Sequence, residues 1–383
     1  MDFDLDEDQH LLKDSVGRML AVLYGDLSKR QNYMAEPEGF SRAVWAEYAE
    51  AGILALPIDA AHGGLGGGPI ETMIFMQEFG QALAVEPWLT SSVLCGTLLR
   101  LSGNRTLADA ILPAVAAGTA VLALAHQERA SRFDLAAVGL RARRDGDQYV
   151  LEGDKSLVIG GGAADFLVVA ARTAGEAGDP HGLTLLVVDA RSSGISRHVY
   201  PTQDGFQAAD IAFRQVAVPH NHALGEIDGG LPLLTRAVDE AIAGVCAEAV
   251  GAMDALLQMT VEYLKTRRQF GVPIGSFQAL QHRAVEMHIM LEQARSMALF
   301  AAFAIADEDA TRRRLAVSAA KVQIGRAARF IGQQAVQLHG GIAMTMEYKG
   351  GHYFKRLTMI EQQFGDTEHH LRCVAALGSP IDG

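Results

Sequence analysis

Val218-Pro219-His220-Asn221-His222-Ala223-Leu224-Gly225 is the seam of this sequence, because the hydrophobic period changes across it. Upstream lie short runs rich in Val, Leu and Ala: Val121–Ala125, Tyr149–Leu151, Phe166–Ala170, Leu183–Val188 and Ile211–Val218. Turn residues separate them, which is the pattern of strands. Asp145-Gly146 falls between two such runs and predicts a hairpin turn, since both residues tolerate positive φ. No helix-length periodic segment interrupts the series, so an antiparallel sheet, barrel or sandwich is expected and a Rossmann βαβ unit is excluded. Downstream the period becomes helical. Leu234, Val238, Ile242, Val245, Ala249, Met253 and Leu256 form one stripe; Phe277, Leu280, Ala284, Met287 and Leu291 a second; Ala320, Ile324, Ala327 and Ile331 a third. The many alanines permit close helix contact, and a four-helix bundle follows.

The first 117 residues are also helical in pattern, with Leu11, Leu12, Val16 and Leu20 in one run and Ile74, Phe75, Phe79 and Leu83 in another. Between them, His62-Gly63-Gly64-Leu65-Gly66-Gly67-Gly68 reads as a flexible connector. It lacks the preceding strand and the Lys-Ser/Thr pair of a phosphate loop. The expected fold is α+β, mostly α: an N-terminal helical domain (1–117), a middle β-domain (118–225) and a C-terminal four-helix bundle (226–383).

Composition narrows the function. The 383 residues include 33 Lys+Arg against 45 Asp+Glu, a net charge of −12, which gives no general attraction for nucleic acid or anionic membrane. Cys95, Cys246 and Cys373 are far apart and odd in number, which argues against a disulfide framework and a four-thiolate zinc site. The first residues are acidic where a secretory signal is basic. No stretch of about 18 uninterrupted apolar residues occurs, so no membrane span is expected. A cytoplasmic protein is the expectation.

Seven local motifs occur in order along the chain: Phe3–Leu12 (FDLDEDQHLL), Asp59–Gly66 (DAAHGGLG), Leu151–Lys155 (LEGDK), Val218–Gly225 (VPHNHALG), Tyr263–Gly271 (YLKTRRQFG), Phe277–Gln281 (FQALQ) and Gln337–Gly341 (QLHGG). With the helix–strand–helix order, they resemble the acyl-CoA dehydrogenase family over essentially the whole chain. The resemblance implies FAD, acyl-CoA thioester substrates and a homo- or heterotetramer. It also implies α,β-dehydrogenation, in which a base takes the proton α to the thioester carbonyl and the β-hydrogen leaves as hydride. Such a weakly acidic proton needs a well-placed carboxylate and hydrogen bonds to the developing enolate.

Both positions where the family carries its base lack an acid here. By the resemblance, one falls on Gly365 of Phe364-Gly365-Asp366-Thr367 and the other on Ala241. Asp366 and Glu240 are the neighbouring acids. Each has two readings: a displaced base, or for Asp366 a residue that orders a turn and for Glu240 a solvated helix face. Proton abstraction tolerates little displacement, which favours the second readings.

The family's flavin-ring contacts are altered as well. The matching segments read Ala125-His126-Gln127-Glu128-Arg129 and Leu157-Val158-Ile159-Gly160, with no aromatic residue and no hydroxyl at Ile159. His126 and Arg129 are candidates to hold an anion, or else ordinary surface. The residues that family members lend to a neighbouring subunit's FAD are retained: Arg267, Phe270, Gln278 and the run Gln337, Leu338, His339, Gly340, Gly341, with Thr367 beside them. Arg267 suits a pyrophosphate oxygen, Gln278 a polar cofactor edge, and the two glycines a close backbone approach. The alternative is a glycine helix cap and a surface arginine.

Loss of a subunit's own contacts with retention of the lent ones is similar to the small subunits of heteromeric members, such as those of pimeloyl-CoA dehydrogenase and steroid side-chain acyl-CoA dehydrogenases. Three functions follow from the resemblance: a non-base subunit of a heteromer, an active homo-oligomer with Asp366 as base, or a flavin-free scaffold for a partner dehydrogenase. Glu368, His369, His370 and Cys373 make a poor metal site, because adjacent helical histidines diverge by about 100°.

Overall fold

A computed structural model describes residues 5–378. Phe3 and Asp4 of the first motif therefore lie outside the described residues. In chain order the helices are α1 (Glu7–Tyr24), α2 (Leu27–Ala35), α3 (Arg42–Glu50), α4 (Pro69–Ala82), α5 (Gly96–Leu101), α6 (Arg105–Ala116), α7 (Leu231–Thr266), α8 (Gln278–Ala304), α9 (Ala310–His339), α10 (Lys349–Gln362) and α11 (Thr367–Leu377). The described residues pack as two compact units: those up to 32, 69–84 and from 242 onward in one, and 33–68 and 85–241 in the other.

The first unit is helical. α1 starts with a capping box, in which the Asp6 carboxylate accepts the Gln9 N–H while Gln9 accepts the Asp6 N–H. Val16 and Leu20 of the expected stripe are buried, whereas Leu11 is exposed. α4 and α7 touch backbone to backbone through two glycines. A Cβ on Gly80 would lie 2.0 Å from the Glu248 carbonyl, and one on Gly251 would lie 1.8 Å from that of Gln77. The Arg356 guanidinium of α10 grips the Glu248 carboxylate of α7 at both oxygens (2.5 and 2.6 Å), with both side chains buried. Removing either partner of such a pair costs about 3–5 kcal/mol. α9 packs on α8, α10 and α11, and its stripe Ala320, Ile324, Ala327 and Ile331 is fully buried. α7–α10 form the four-helix bundle, and α11 is added against α9. The stripe expected on α8 holds only in part: Met287 and Leu291 are core, but Phe277 is exposed. α7 is long and apolar enough to cross a membrane, with a mean hydropathy of 1.4 in one window, yet 78% of that window is buried in the fold. A core helix has that composition.

The second unit is built on a sheet of β1 (Leu122–Ala125), β2 (Arg141–Asp145), β3 (Gln148–Ile159), β4 (Phe166–Arg172), β5 (Leu183–Asp189), β6 (Ile195–Pro201), β7 (Gln207–Pro219) and β8 (Ala223–Leu224). The order is β6-β7-β3-β2-β4-β5-β8, with β1 added beside β4. The sheet is mixed rather than purely antiparallel, because β1 and β2 each pair parallel to β4. β2 and β6 are absent from the expected strands: Arg141-Ala142-Arg143-Arg144-Asp145 is mostly exposed and carries no apolar run. Asp145 pairs with Gln148, so the hairpin loop is Gly146-Asp147, and only Gly146 takes positive φ (+61°). Two arginines, Arg172 buried and Arg197 half-buried, staple loops to the sheet. Arg172 donates to the carbonyls of Ala136, Val138, Asp179 and His181, and Arg197 donates to those of Gly161, Gly162, Ala164 and Ala190. The connector at His62 is held by its imidazole, which bridges Asp59 (2.5 Å) and Asp109 (3.1 Å).

Candidate functional site

The residues expected to meet a cofactor cluster at one end of the helical unit and are left unengaged. α7 stops at Thr266, and the Arg267 N–H still donates to the Tyr263 carbonyl (2.8 Å). The Arg267 side chain is exposed and makes no hydrogen bond or ion pair among the described residues. Two short strands follow, β9 (Arg268–Gln269) and β10 (Val272–Pro273). Their turn forces Phe270 to φ +54° and leaves its ring 91% exposed, edge-on to Phe277 at 6.2 Å. Gln278 opens α8, and Gln337 lies in the last turn of α9; both are exposed. Gly340 ends α9 at φ +66°, and a Cβ on Gly340 or Gly341 would meet no atom within 4 Å. Open glycine backbone, a free guanidinium and two free amides are what a dinucleotide pyrophosphate requires. Leu338 differs. Its side chain is buried in the bundle, so only its backbone is available to a ligand.

The joint between α10 and α11 has the opposite character. Phe364 (φ +60°) and Gly365 (φ +119°) turn the chain, and the buried Lys321 ammonium donates to the carbonyls of Ile360, Glu361 and Gly365 at 2.9, 3.0 and 2.8 Å. Burial, chiefly, lowers the Lys321 pKa to about 8, against the favourable influence of Cys246, Glu361 and Asp366. The Glu361 carboxylate takes Arg329, Gln362 and the Thr367 N–H. Thr367 is thereby fixed as the first residue of α11, with its hydroxyl facing Gly325, where an added Cβ would come within 2.7 Å of it. His370 is fully buried between Ser318 (3.1 Å) and the Phe364 carbonyl (3.2 Å), and burial drives its pKa down to about 2. A Cβ at Gly365 would lie 2.6 Å from His369 and 2.7 Å from His370. A side chain at Gly365 would therefore need both a strained backbone and movement of the two histidines.

Asp366 and Glu240 are both committed elsewhere. Asp366 is the N-cap of α11, its carboxylate accepting the His369 N–H at 2.8 Å. The turn-ordering reading describes it. Glu240 is not a solvated helix face: its carboxylate accepts from Thr97 (2.5 Å) and Arg236 (3.2 Å), with Arg100 at 3.5 Å. A carboxylate held by a hydroxyl and two arginines is fixed in place by its own unit and is not free to swing toward a substrate. Ala241 beside it is fully buried.

In the β-unit, most polar groups of the segments matching ring contacts have internal partners. Lys155, buried, donates to the His126 carbonyl and to Glu128, whose carboxylate also takes the Gly139 and Leu140 N–H groups. The His126 imidazole is buried, its Nδ1 has no partner among the described residues, and burial first, with Lys155 second, pushes its pKa to about 4. Arg129 pairs with Asp210 (3.3 Å), which also accepts from Tyr200 and from the N–H of Leu157, a residue at φ +53°.

The chain matches "Acyl-CoA dehydrogenase, N-terminal domain" over residues 6–119, the "middle domain" over 123–216 and the "C-terminal domain" over 228–377. It belongs to the acyl-CoA dehydrogenase family. It is 28% identical over 382 residues to the acryloyl-CoA reductase (NADH) of Anaerotignum propionicum, covering 98% of this chain and 95% of the relative. Among solved structures it is similar to a variant of the Tcur3481-Tcur3483 steroid ACAD, at 27% identity and TM-score 0.86 over 97% of each chain. It also shares the fold of the Mycobacterium tuberculosis ChsE4-ChsE5 complex, at 24% identity and TM-score 0.88 over 98% of each chain.

Sequence reasoning named the residues of the exposed set, and His370 only as a poor metal ligand, but not Lys321, Thr97, Arg100 or Arg236. None of these four sits in a motif, and the roles of Lys321, Thr97 and Arg100 come from partners far along the chain.

Proposed function

We propose that this chain is a non-base subunit of an FAD-dependent acyl-CoA dehydrogenase, paired with a related chain that supplies the carboxylate. The α10–α11 joint carries the reading: Gly365, where the resemblance puts the family's base, has no side chain, and the neighbouring Asp366 carboxylate is engaged in capping α11. The residues present fit part of the cofactor. Arg267, Gln278, Gln337 and the backbone of Gly340 and Gly341 would hold the FAD of a neighbouring subunit, with Phe270 covering it. The β-unit segments fit less well, since Arg129 is paired on Asp210 and Leu157 and Ile159 replace the aromatic and hydroxyl groups. FAD, when bound, accepts the β-hydrogen of the acyl-CoA as hydride. This chain's part is to bind, orient and keep water from that cofactor, while the α-proton goes to a carboxylate of the partner.

A tetrameric assembly is part of the proposal. Phe270, Phe277, Val285, Ile289, Ile342 and Met344 are exposed apolar residues of the helical unit, and a second chain of the same fold would cover them. The free cysteines agree with a reducing, cytoplasmic compartment. The three-domain division at about residues 117 and 225 belongs to the same reading. An active homo-oligomer with Asp366 as base is disfavoured by the capping bond of that carboxylate.

Flavin absorbance at about 450 nm tests the proposal. The chain alone should retain little FAD, and co-purification with its partner should raise occupancy toward one FAD per heterodimer. Tight, stoichiometric FAD in the isolated chain would refute the heteromer; no FAD in either preparation would leave the scaffold function in its place.

A further inference from the structure

We infer that His339 is a positioning residue that sets the spacing between the two groups of lent cofactor contacts, Arg267 on one side and Gln337, Gly340 and Gly341 on the other. The inference rests on the proposed lending of those residues to a neighbouring FAD.

The two groups are on different elements, and nothing at the surface joins them. Arg267 has no side-chain partner among the described residues, and the glycine turn has no side chains of its own to pack. The connection runs beneath the surface. His339 is the last residue of α9, immediately before Gly340, and its ring is turned into the bundle with only 4% exposure. There it stacks on Tyr263 of α7, with ring centroids 4.6 Å apart and planes tilted by 34°. Its other neighbour is Tyr348, at 5.1 Å and 54°, which caps the start of α10. The Tyr263 carbonyl is the acceptor of the Arg267 N–H, so the place of Tyr263 determines where the Arg267 backbone begins. One ring thus links the root of the arginine to the root of the glycine turn.

The ring is itself anchored. Its Nδ1 donates to the Ala335 carbonyl at 2.8 Å, because a carbonyl only accepts; the proton is therefore on Nδ1. Burial lowers the imidazole pKa and outweighs the carbonyls of Ala335 and Met259, which favour the protonated form. A neutral, flat ring stacks without carrying an uncompensated charge beneath the pyrophosphate contacts. Groups that converge on one ligand must be held to within about 0.5 Å, and exposed loop residues reach that only through a rigid layer behind them. Tyr263, His339 and Tyr348 form that layer.

A purely structural stack and a positioning stack differ in what they do to flavin. In the purified FAD-loaded complex with the partner chain, His339→Ala should weaken FAD retention 10- to 100-fold, change the visible circular dichroism of the flavin and raise amide exchange at residues 340–344. KM for acyl-CoA should stay within about threefold. His339→Phe keeps a flat ring between the two tyrosines and should restore FAD affinity to within a few-fold of wild type. If His339→Ala does not fold, Tyr348→Leu takes its place and should weaken FAD in the same sense. A lower Tm with unchanged FAD affinity in the folded fraction would overturn the inference. A phenylalanine variant as poor as the alanine variant would do the same. The Arg267→Ala variant separates the two levels of argument: weakened FAD there with normal FAD in His339→Ala overturns only the positioning role. Unchanged FAD in both overturns the lending of FAD contacts as well.

Discussion

The end of the bundle around Arg267 and Gly340 and the joint around Gly365 both take positive φ, both contain glycine, and both lie in the helical unit. They differ in where their polar groups point. At the joint, Lys321, Glu361, Asp366 and His370 are turned inward or onto the backbone, each with an internal partner. At the bundle end, Arg267, Gln278 and Gln337 have none among the described residues, and 4 Å around each glycine Cβ position is clear. A buried polar group without a partner costs about 1–3 kcal/mol, so a fold supporting itself leaves few. An exposed set of donors around open glycine backbone costs nothing in the free protein and gains its partners from a ligand. In the proposed reading, the contrast separates a structural joint from a ligand site even though the resemblance places function at both.

Changing the joint should produce the largest effect. Gly365→Ala introduces a Cβ at positive φ against His369 and His370, and should cost about 2–4 kcal/mol of stability. Thermal or denaturant unfolding reads it directly. A variant as stable as wild type would show that the joint accepts a side chain, and the base seat would then be open. The next effect belongs to the bundle end. Arg267→Ala should leave Tm unchanged but lower FAD affinity by about one to two decades, the loss of a charge-assisted bond of about 1.5–3 kcal/mol. If stability falls and flavin affinity does not, the two regions are alike after all.

The smallest effect should come from Asp366→Asn. Asparagine caps a helix as well as aspartate does, so the joint keeps its geometry and stability changes by only a few tenths of a kcal/mol. Flavin reduction by acyl-CoA should remain within a few-fold of wild type, whereas loss of a general base costs about 10²–10⁴-fold. A fall of 100-fold or more, with FAD occupancy and Tm intact, would make Asp366 the base and transfer function from the bundle end to the joint.

Periodicity alone determined much of this protein. The stripes of α7 and α9 and the apolar runs of β1, β4, β5 and β7 are legible because burial of one face is written as spacing along a single element. The Asp366 cap is equally local, since donor and acceptor are three residues apart. β2 escaped notice because its arginines face solvent and leave no apolar alternation, and only pairing with β3 and β4 makes it a strand. Tertiary structure alone decided the chemistry of the acids and of the base seat. Glu240 becomes a clamped carboxylate through Thr97 and Arg100, and Gly365 becomes a crowded position through Lys321 from α9 and the two histidines of α11. Whether a carboxylate is free to take a proton depends on what surrounds it in three dimensions, and that is set by contacts between segments whose sequence separation carries no signal.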